Sequence, residues 1–184
     1  MDIFKIIICG PPGAGKTTAM RSVFENDFIA GEAKHTAAEV ADGKQDITVS
    51  MDYGTLNNAH SCSGRPVTLH IYSIPGQERF KFMWEILSNN ANGLIILVAA
   101  GEHNPFAVIN NYLPIVWPYM NNKRAVLIAL NKIPDNFSEH VKIPDYLHYN
   151  GALLRFVKTN VTDKREVLLL FKYIIEMVEQ DKGR

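Results

Sequence analysis

At 184 residues, 47% of them apolar, the chain has the size and apolar content of one domain with a substantial core, which excludes wholesale disorder. Lys+Arg and Asp+Glu balance at 19 each, so the overall charge points to neither a nucleic acid nor an anionic membrane as partner. The longest apolar run, residues 94–100, is far too short to span a bilayer. Residues 3–9 form a short β-branched apolar run and predict a buried parallel strand. A helix follows from Lys16 through residue 28, with Ala19, Met20, Val23 and Phe24 at helical spacing. The polar stretch 30–46 has little periodicity and is long for a connection, which implies a functional or mobile loop. Residues 47–53 alternate as a strand, 57–66 are rich in Asn, Ser and Gly and predict a hairpin turn, and 67–72 are the paired strand. A short helix then runs to about Leu87.

Residues 94–98 are wholly apolar and predict a central strand. Pro105 opens a helix carrying Phe106, Val108, Ile109 and Leu113, which Pro114 disturbs. Residues 125–130 are a fifth strand, 133–152 are irregular with Pro134 and Pro144 limiting any helix, and 153–158 are a final strand. Val167, Leu170, Phe171, Ile174 and Val178 mark a C-terminal helix whose apolar stripe packs on the sheet. Six strands alternating with helices predict a three-layer α/β fold, doubly wound, with a mostly parallel sheet, one antiparallel strand and a single domain over 1–184. Cys9 and Cys62 have no neighbour at metal-ligand spacing and predict free thiols in a reducing compartment. The first strand starts at once, leaving no room for a signal peptide. Asp2 excludes myristoylation, and the last four residues hold no cysteine for prenylation. The expectation is a cytoplasmic protein without a membrane anchor.

One stretch carries the chemistry. Gly10-Pro11-Pro12-Gly13-Ala14-Gly15-Lys16-Thr17 matches the phosphate-binding pattern G-x-x-x-x-G-K-[ST] at every defined position, between a strand and a helix as the motif requires. Glycines there let successive N–H groups point at phosphate oxygens, and the helix start, including Thr18, adds unpaired donors. Lys16 brings a full charge to the terminal phosphates, and the Thr17 hydroxyl is a ligand for Mg²⁺. The pattern predicts binding of a nucleoside triphosphate or diphosphate.

Three further motifs narrow the class. Thr48 to Tyr53 resembles the first-switch strand of the small GTPases. Pro75-Gly76-Gln77 after a strand resembles their second switch, and Asn131-Lys132 the start of their guanine-reading N-K-x-D element. More narrowly, Tyr72-Ser73-Ile74-Pro75-Gly76-Gln77 and Met51-Asp52-Tyr53-Gly54 look like the prokaryotic MglA-like small GTPases, within the Ras-like P-loop superfamily. The resemblance implies a GTP/GDP switch in which Thr48 closes over the γ-phosphate and completes the Mg²⁺ shell. It also implies that the Gly76 N–H binds the γ-phosphate and that Gln77 orients the attacking water. Asn131, Lys132, Asp135, Asn160 and Val161 would meet the base.

The sequence departs from that pattern in places. Ser73 stands where most relatives have a metal-side Asp, a habit of the MglA-like group. Asn131-Lys132-Ile133-Pro134-Asp135 has one extra residue before its Asp, so Asp135 could read guanine only through a rearranged loop. Thr159-Asn160-Val161 matches the last base-contacting stretch loosely. No Arg lies in residues 30–50, and Arg79 reads as a solvated helix residue, so hydrolysis is expected to be slow without a partner. In the helix after the second switch, Phe80, Met83, Trp84 and Leu87 form one apolar stripe, while Phe82 and Ile86 fall outside it. By resemblance the partner would be a roadblock-type (MglB-like) regulator meeting Phe82 and Ile86. Two other classes stay open: a P-loop kinase using ATP, and a GTPase-fold module that does not hydrolyse.

Overall fold

The computed structural model describes residues 2–25, 29–35, 47–60, 64–135, 137 and 142–182, with backbone alone at 29–35, 47–50, 60 and 181–182. Its strands are β1 (Asp2–Cys9), β2 (Ile29–His35), β3 (Ile47–His60), β4 (Pro66–Ser73), β5 (Gly93–Ala99), β6 (Val126–Asn131), β7 (Tyr146–Tyr149) and β8 (Ala152–Lys158). The helices are α1 (Lys16–Phe24), α2 (Lys81–Ser88), α3 (Pro105–Val116) and α4 (Lys164–Lys182). All eight strands form one sheet in the order β2-β3-β4-β1-β5-β6-β8-β7. The pairs β4–β1, β1–β5, β5–β6 and β6–β8 are parallel, and β2–β3, β3–β4 and β7–β8 are antiparallel.

The α/β fold expected from the sequence is present, and its sheet is wider than six strands. Both extra strands are edge strands. β2 occupies the start of the stretch expected to be loop, and residues 36–46 of that stretch lie outside the described residues. β7 lies in the segment expected to be irregular. Edge strands pair on one side only and need not alternate, so IAGEAKH and YLHY show no periodicity to read. The hairpin turn expected over 57–66 is narrower, because β3 continues to His60 through a bulge. Leu56 pairs with Leu69 and Ala59 with Val67, so β3 has one residue more than β4, and Asn58 takes it up at φ 56°. Helix α3 runs through Pro114 in its last turn rather than ending there.

Side-chain alternation in the central strands divides the core into two layers. Phe4, Ile6 and Ile8 of β1 join the α1 and α4 side with Met20, Phe171 and Ile174. Ile7 and Cys9 point to the other side, with Trp84, Tyr112 and Leu113 of α2 and α3. Strand β1 is therefore apolar on both faces, which is why it reads as a continuous run. The chain leaves β1 toward β4 on one side and later places β5 on the other, so the loop after β1 opens at the point where the strand order reverses. Such a point leaves a crevice at the carboxyl ends of parallel strands.

Candidate functional site

The glycine-rich loop sits in that crevice. Gly10 has φ 145°, and a Cβ there would come 2.1 Å from the Leu97 carbonyl oxygen of β5, so only glycine fits. Lys16 folds back over the loop, its Nζ donating to the carbonyls of Gly10 at 2.7 Å and Pro11 at 2.9 Å. Burial lowers its pKa to about 8, with the Asp52 carboxylate acting in the opposite sense. Cys9 is a free thiol behind the loop, pushed up to about 12 by burial and therefore neutral. Cys62 lies outside the described residues.

A cavity of about 350 Å³ opens in front of the loop, lined among others by Pro12, Lys16, Thr17, Asp52, Ser73 and Gly76. Gln77 also lines it and is exposed. The second-switch turn thus reaches the phosphate loop, and the approach is close: a Cβ on Gly76 would lie 2.5 Å from the Gly10 carbonyl oxygen. Pro11 and Ala14 serve the loop through their backbones. Pro11 accepts from Lys16 and from the Ala14 N–H, and the Ala14 carbonyl accepts from Asn131 Nδ2 at 3.0 Å. Thr48 lies in β3 opposite Lys34, and its side chain is outside what the structure describes.

Asp52 is a residue that sequence reasoning passed over. It is buried at 3% exposure in β3, accepts a hydrogen bond from Thr17 Oγ1 at 2.7 Å, and pairs directly with Ser73 of β4. Cross-strand partners share a face, so the Asp52 carboxylate and the Ser73 hydroxyl meet the same cavity. The only signal for it in the sequence was an acidic residue at an alternating position of an otherwise apolar-and-hydroxyl strand. Thr17, Asp52 and Ser73 together offer hydroxyl and carboxylate oxygens, a donor set suited to a hard cation such as Mg²⁺. Among the described residues no three His, Cys, Asp or Glu side chains gather as a metal-binding group.

A second cavity of about 800 Å³ adjoins the first through Gly15, Thr18 and Lys132, and is also lined by Asn131, Asn160 and Val161. Asn131 organises it, since Oδ1 accepts from the Val161 N–H at 3.4 Å while Nδ2 holds the phosphate loop. Lys132 has φ 51° and its Nζ pairs with Glu102 at 2.8 Å. Asp135 is exposed and does not line this cavity; the extra residue, Pro134, displaces it. Glu166, at the start of α4, does line the cavity, and its carboxylate accepts from the Asn160 N–H. Thr159 beside it has a buried hydroxyl without a hydrogen-bond partner among the described residues. Arg79 stays exposed with its guanidinium 4.9 Å over the Phe80 ring, and among the described residues no arginine lines the cavity in front of the loop.

At α2 and the turn before it the apolar stripe is partly sorted as its spacing implies, with Met83 and Leu87 half-buried. Phe80 and Trp84 are buried, whereas Phe82 and Ile86 are 60% and 67% exposed. No helix among the described residues is long and apolar enough to cross a membrane.

Residues 5–134 match the family model described as Roc, Ras of Complex, the Roc domain of DAPkinase. The chain is also similar to the Ras-related protein Rab-21 of Mus musculus, 25% identical over 184 residues that cover 97% of this chain and 76% of that protein. It is 27% identical to the Ras-related protein Rab-30 of Homo sapiens over 131 residues, covering 71% of this chain and 57% of that protein.

Proposed function

We propose, for a chain that belongs to the Roc (Ras of Complex) family of Ras-like small GTPases, a Mg²⁺-dependent GTP/GDP switch of the MglA-like kind, formed by one domain over residues 1–184. The observation that carries this reading is the convergence of Lys16, Thr17, Asp52, Gly76 and Gln77 on one cavity at the sheet's switch point. The backbone of residues 10–18 would cradle the phosphates. Lys16, already drawn over the loop, would lie against the terminal ones. Thr17 and Asp52, with Ser73 and Thr48 beside them, would hold the Mg²⁺. When bound, the ion neutralises charge on the phosphate oxygens. The Gly76 N–H would mark the presence of the third phosphate, and Gln77, free in solvent at the rim, would orient a water for in-line attack. Loss of that phosphate would remove the contact that both switch segments make with it.

Among the described residues no arginine lines the cavity, which supports slow hydrolysis without a partner. The exposed Phe82 and Ile86, beginning five residues after Gln77, would form the surface that a partner reads, and by resemblance that partner is a roadblock-type (MglB-like) regulator. The absence of arginines from the phosphate cavity also weakens the kinase alternative, which needs several converging on the transferred group. Asn131, Lys132, Asn160 and Val161 would hold the base, and Asp135 would join them only if its loop moves. Cytoplasmic localisation remains part of the same proposal.

The deciding experiment titrates GTP, GDP, ATP and ADP with Mg²⁺ and follows phosphate release in wild type and Gln77→Ala. Guanine nucleotide binding, with hydrolysis lost on substitution, is the expected result. Tight ATP binding would overturn the base assignment, and binding without turnover in wild type would favour a non-hydrolysing module.

A further inference from the structure

The second-switch turn is held from behind by two buried aromatic side chains. Trp84 of α2 donates its indole N–H to the Pro75 carbonyl at 2.7 Å, and Tyr112 of α3 donates its hydroxyl to the Gly76 carbonyl at 2.7 Å. The two rings stack on each other with centroids 4.3 Å apart and planes 22° from parallel. Both side chains are almost wholly buried, at 0% and 2% exposure, so neither donor has water as an alternative partner. Burial also raises the Tyr112 phenol, which therefore stays a donor throughout the neutral range.

The geometry of the peptide group turns these two bonds into a constraint on the other side of the turn. A trans peptide is planar, with its C=O and N–H pointing in opposite directions, and the described chain has no cis bond. Anchoring the Pro75 carbonyl toward Trp84 therefore aims the Gly76 N–H the other way. Anchoring the Gly76 carbonyl toward Tyr112 aims the Gln77 N–H away from the aromatic pair. Gly76 and Gln77 both line the phosphate cavity, and neither N–H donates to a backbone carbonyl among the described residues. Two adjacent unpaired N–H groups facing one cavity make an anion-binding concavity.

We propose that Trp84 and Tyr112 are positioning residues that preset the Gly76 and Gln77 N–H groups toward the third phosphate before nucleotide binds. The inference rests on the GTP-switch reading of the same cavity. Its consequence is that the second switch is held ready by the core, so the larger ordering step falls to the first switch. The pair also links the phosphate sensor to α2, whose outer face carries Phe82 and Ile86, so a partner pressing on that face would act on the turn through Trp84.

Tyr112→Phe removes one hydroxyl and keeps the ring stack, so it is the primary variant; Trp84→Phe is the second. Displacement of a mant-labelled guanine nucleotide, or calorimetric titration, with a non-hydrolysable GTP analogue and with GDP gives the affinity ratio. The expected result is an analogue affinity lowered about tenfold, the size of one weakened hydrogen bond to a charged group, with GDP affinity within about twofold of wild type. A purely structural role would lower both affinities together and leave their ratio unchanged, and that outcome overturns the proposal. A spectroscopic readout is independent of affinity. With Trp117→Phe, Trp84 is the sole tryptophan, and its emission maximum should be the same in the nucleotide-free, GDP and GTP-analogue states. A red-shifted emission without the third phosphate would mean that the clamp forms only on binding, which refutes presetting. A protein that binds no guanine nucleotide at all would instead overturn the switch reading and the clamp with it.

Discussion

The Asp52 and Ser73 side of the cavity gives the sharpest prediction. Ser73 has no carboxylate where the resemblance expects one, yet directly across the strand pair Asp52 is buried and bonded to Thr17 at 2.7 Å. If Asp52 does the work of the missing carboxylate, Asp52→Ala removes a hydrogen bond to a charged group, worth about 1.5–3 kcal/mol. That converts to a rise of about 10- to 100-fold in the Mg²⁺ concentration giving half-maximal GTP binding. The variant Ser73→Asp places a second carboxylate on the cross-strand partner, with Cβ atoms about 5 Å apart. At an effective dielectric of about 20, two such charges repel by about 3 kcal/mol, so this single substitution should be destabilising. Combining the two moves the carboxylate across the pair without doubling it, and should recover most of the Mg²⁺ dependence and the stability. Mg²⁺ titrations of GTP binding and thermal melts of the four proteins complete the double-mutant cycle. An Asp52→Ala protein with unchanged Mg²⁺ dependence, or a double variant no better than the worse single one, would refute the reasoning.

Three further outcomes follow from the same geometry. The pKa of Lys16 in the folded protein is lowered from 10.5 to about 8, so its charge is complete below that pH and is lost above it. Nucleotide affinity should then fall about tenfold per pH unit above about 8, with proton uptake on binding near pH 8.5, measured by calorimetry in buffers of different ionisation enthalpy. By the same linkage, the unliganded folded state binds fewer protons than the unfolded chain between about 8 and 10.5, so this group alone makes stability rise with pH across that window. Asp135→Ala should leave GTP affinity within about twofold, because Asp135 is exposed and outside the cavity lined by Asn131, Asn160 and Val161; a tenfold loss would show that the Pro134 loop rearranges on binding. Replacing Phe82 and Ile86 with Ser should abolish pull-down of a roadblock-type regulator while GTP affinity, read in parallel, stays the same; retained pull-down would exclude that face as the partner surface.

Much of this was written locally in the chain. The phosphate loop is legible because its chemistry depends on glycine conformations and one Lys-Thr pair within eight consecutive residues. The central strands are legible because burial on both faces forces continuous apolar runs, and α4 because a single buried stripe imposes helical spacing. The separation of Phe82 and Ile86 from Trp84 follows from the same angular arithmetic, and the exposures agree with it.

What the sequence left open depends on partners distant along the chain. Edge strands β2 and β7 owe their existence to backbone pairing with β3 and β8, which leaves no apolar periodicity. Asp52 acquires its place only when β3 pairs with β4 and brings it beside Thr17, 35 residues earlier. Tyr112 reads as one more apolar-helix residue until the fold sets its hydroxyl on Gly76, 36 residues away. The exclusion of Asp135 likewise depends on where the Pro134 loop leaves the sheet, which spacing alone does not show. The sequence by itself carried the phosphate-loop pattern and the small-GTPase motifs, because each is a short run of contiguous residues. Tertiary structure alone decided which carboxylate meets Thr17 in the cavity and what holds the turn at Pro75 and Gly76, because each depends on strands and helices meeting across the sheet.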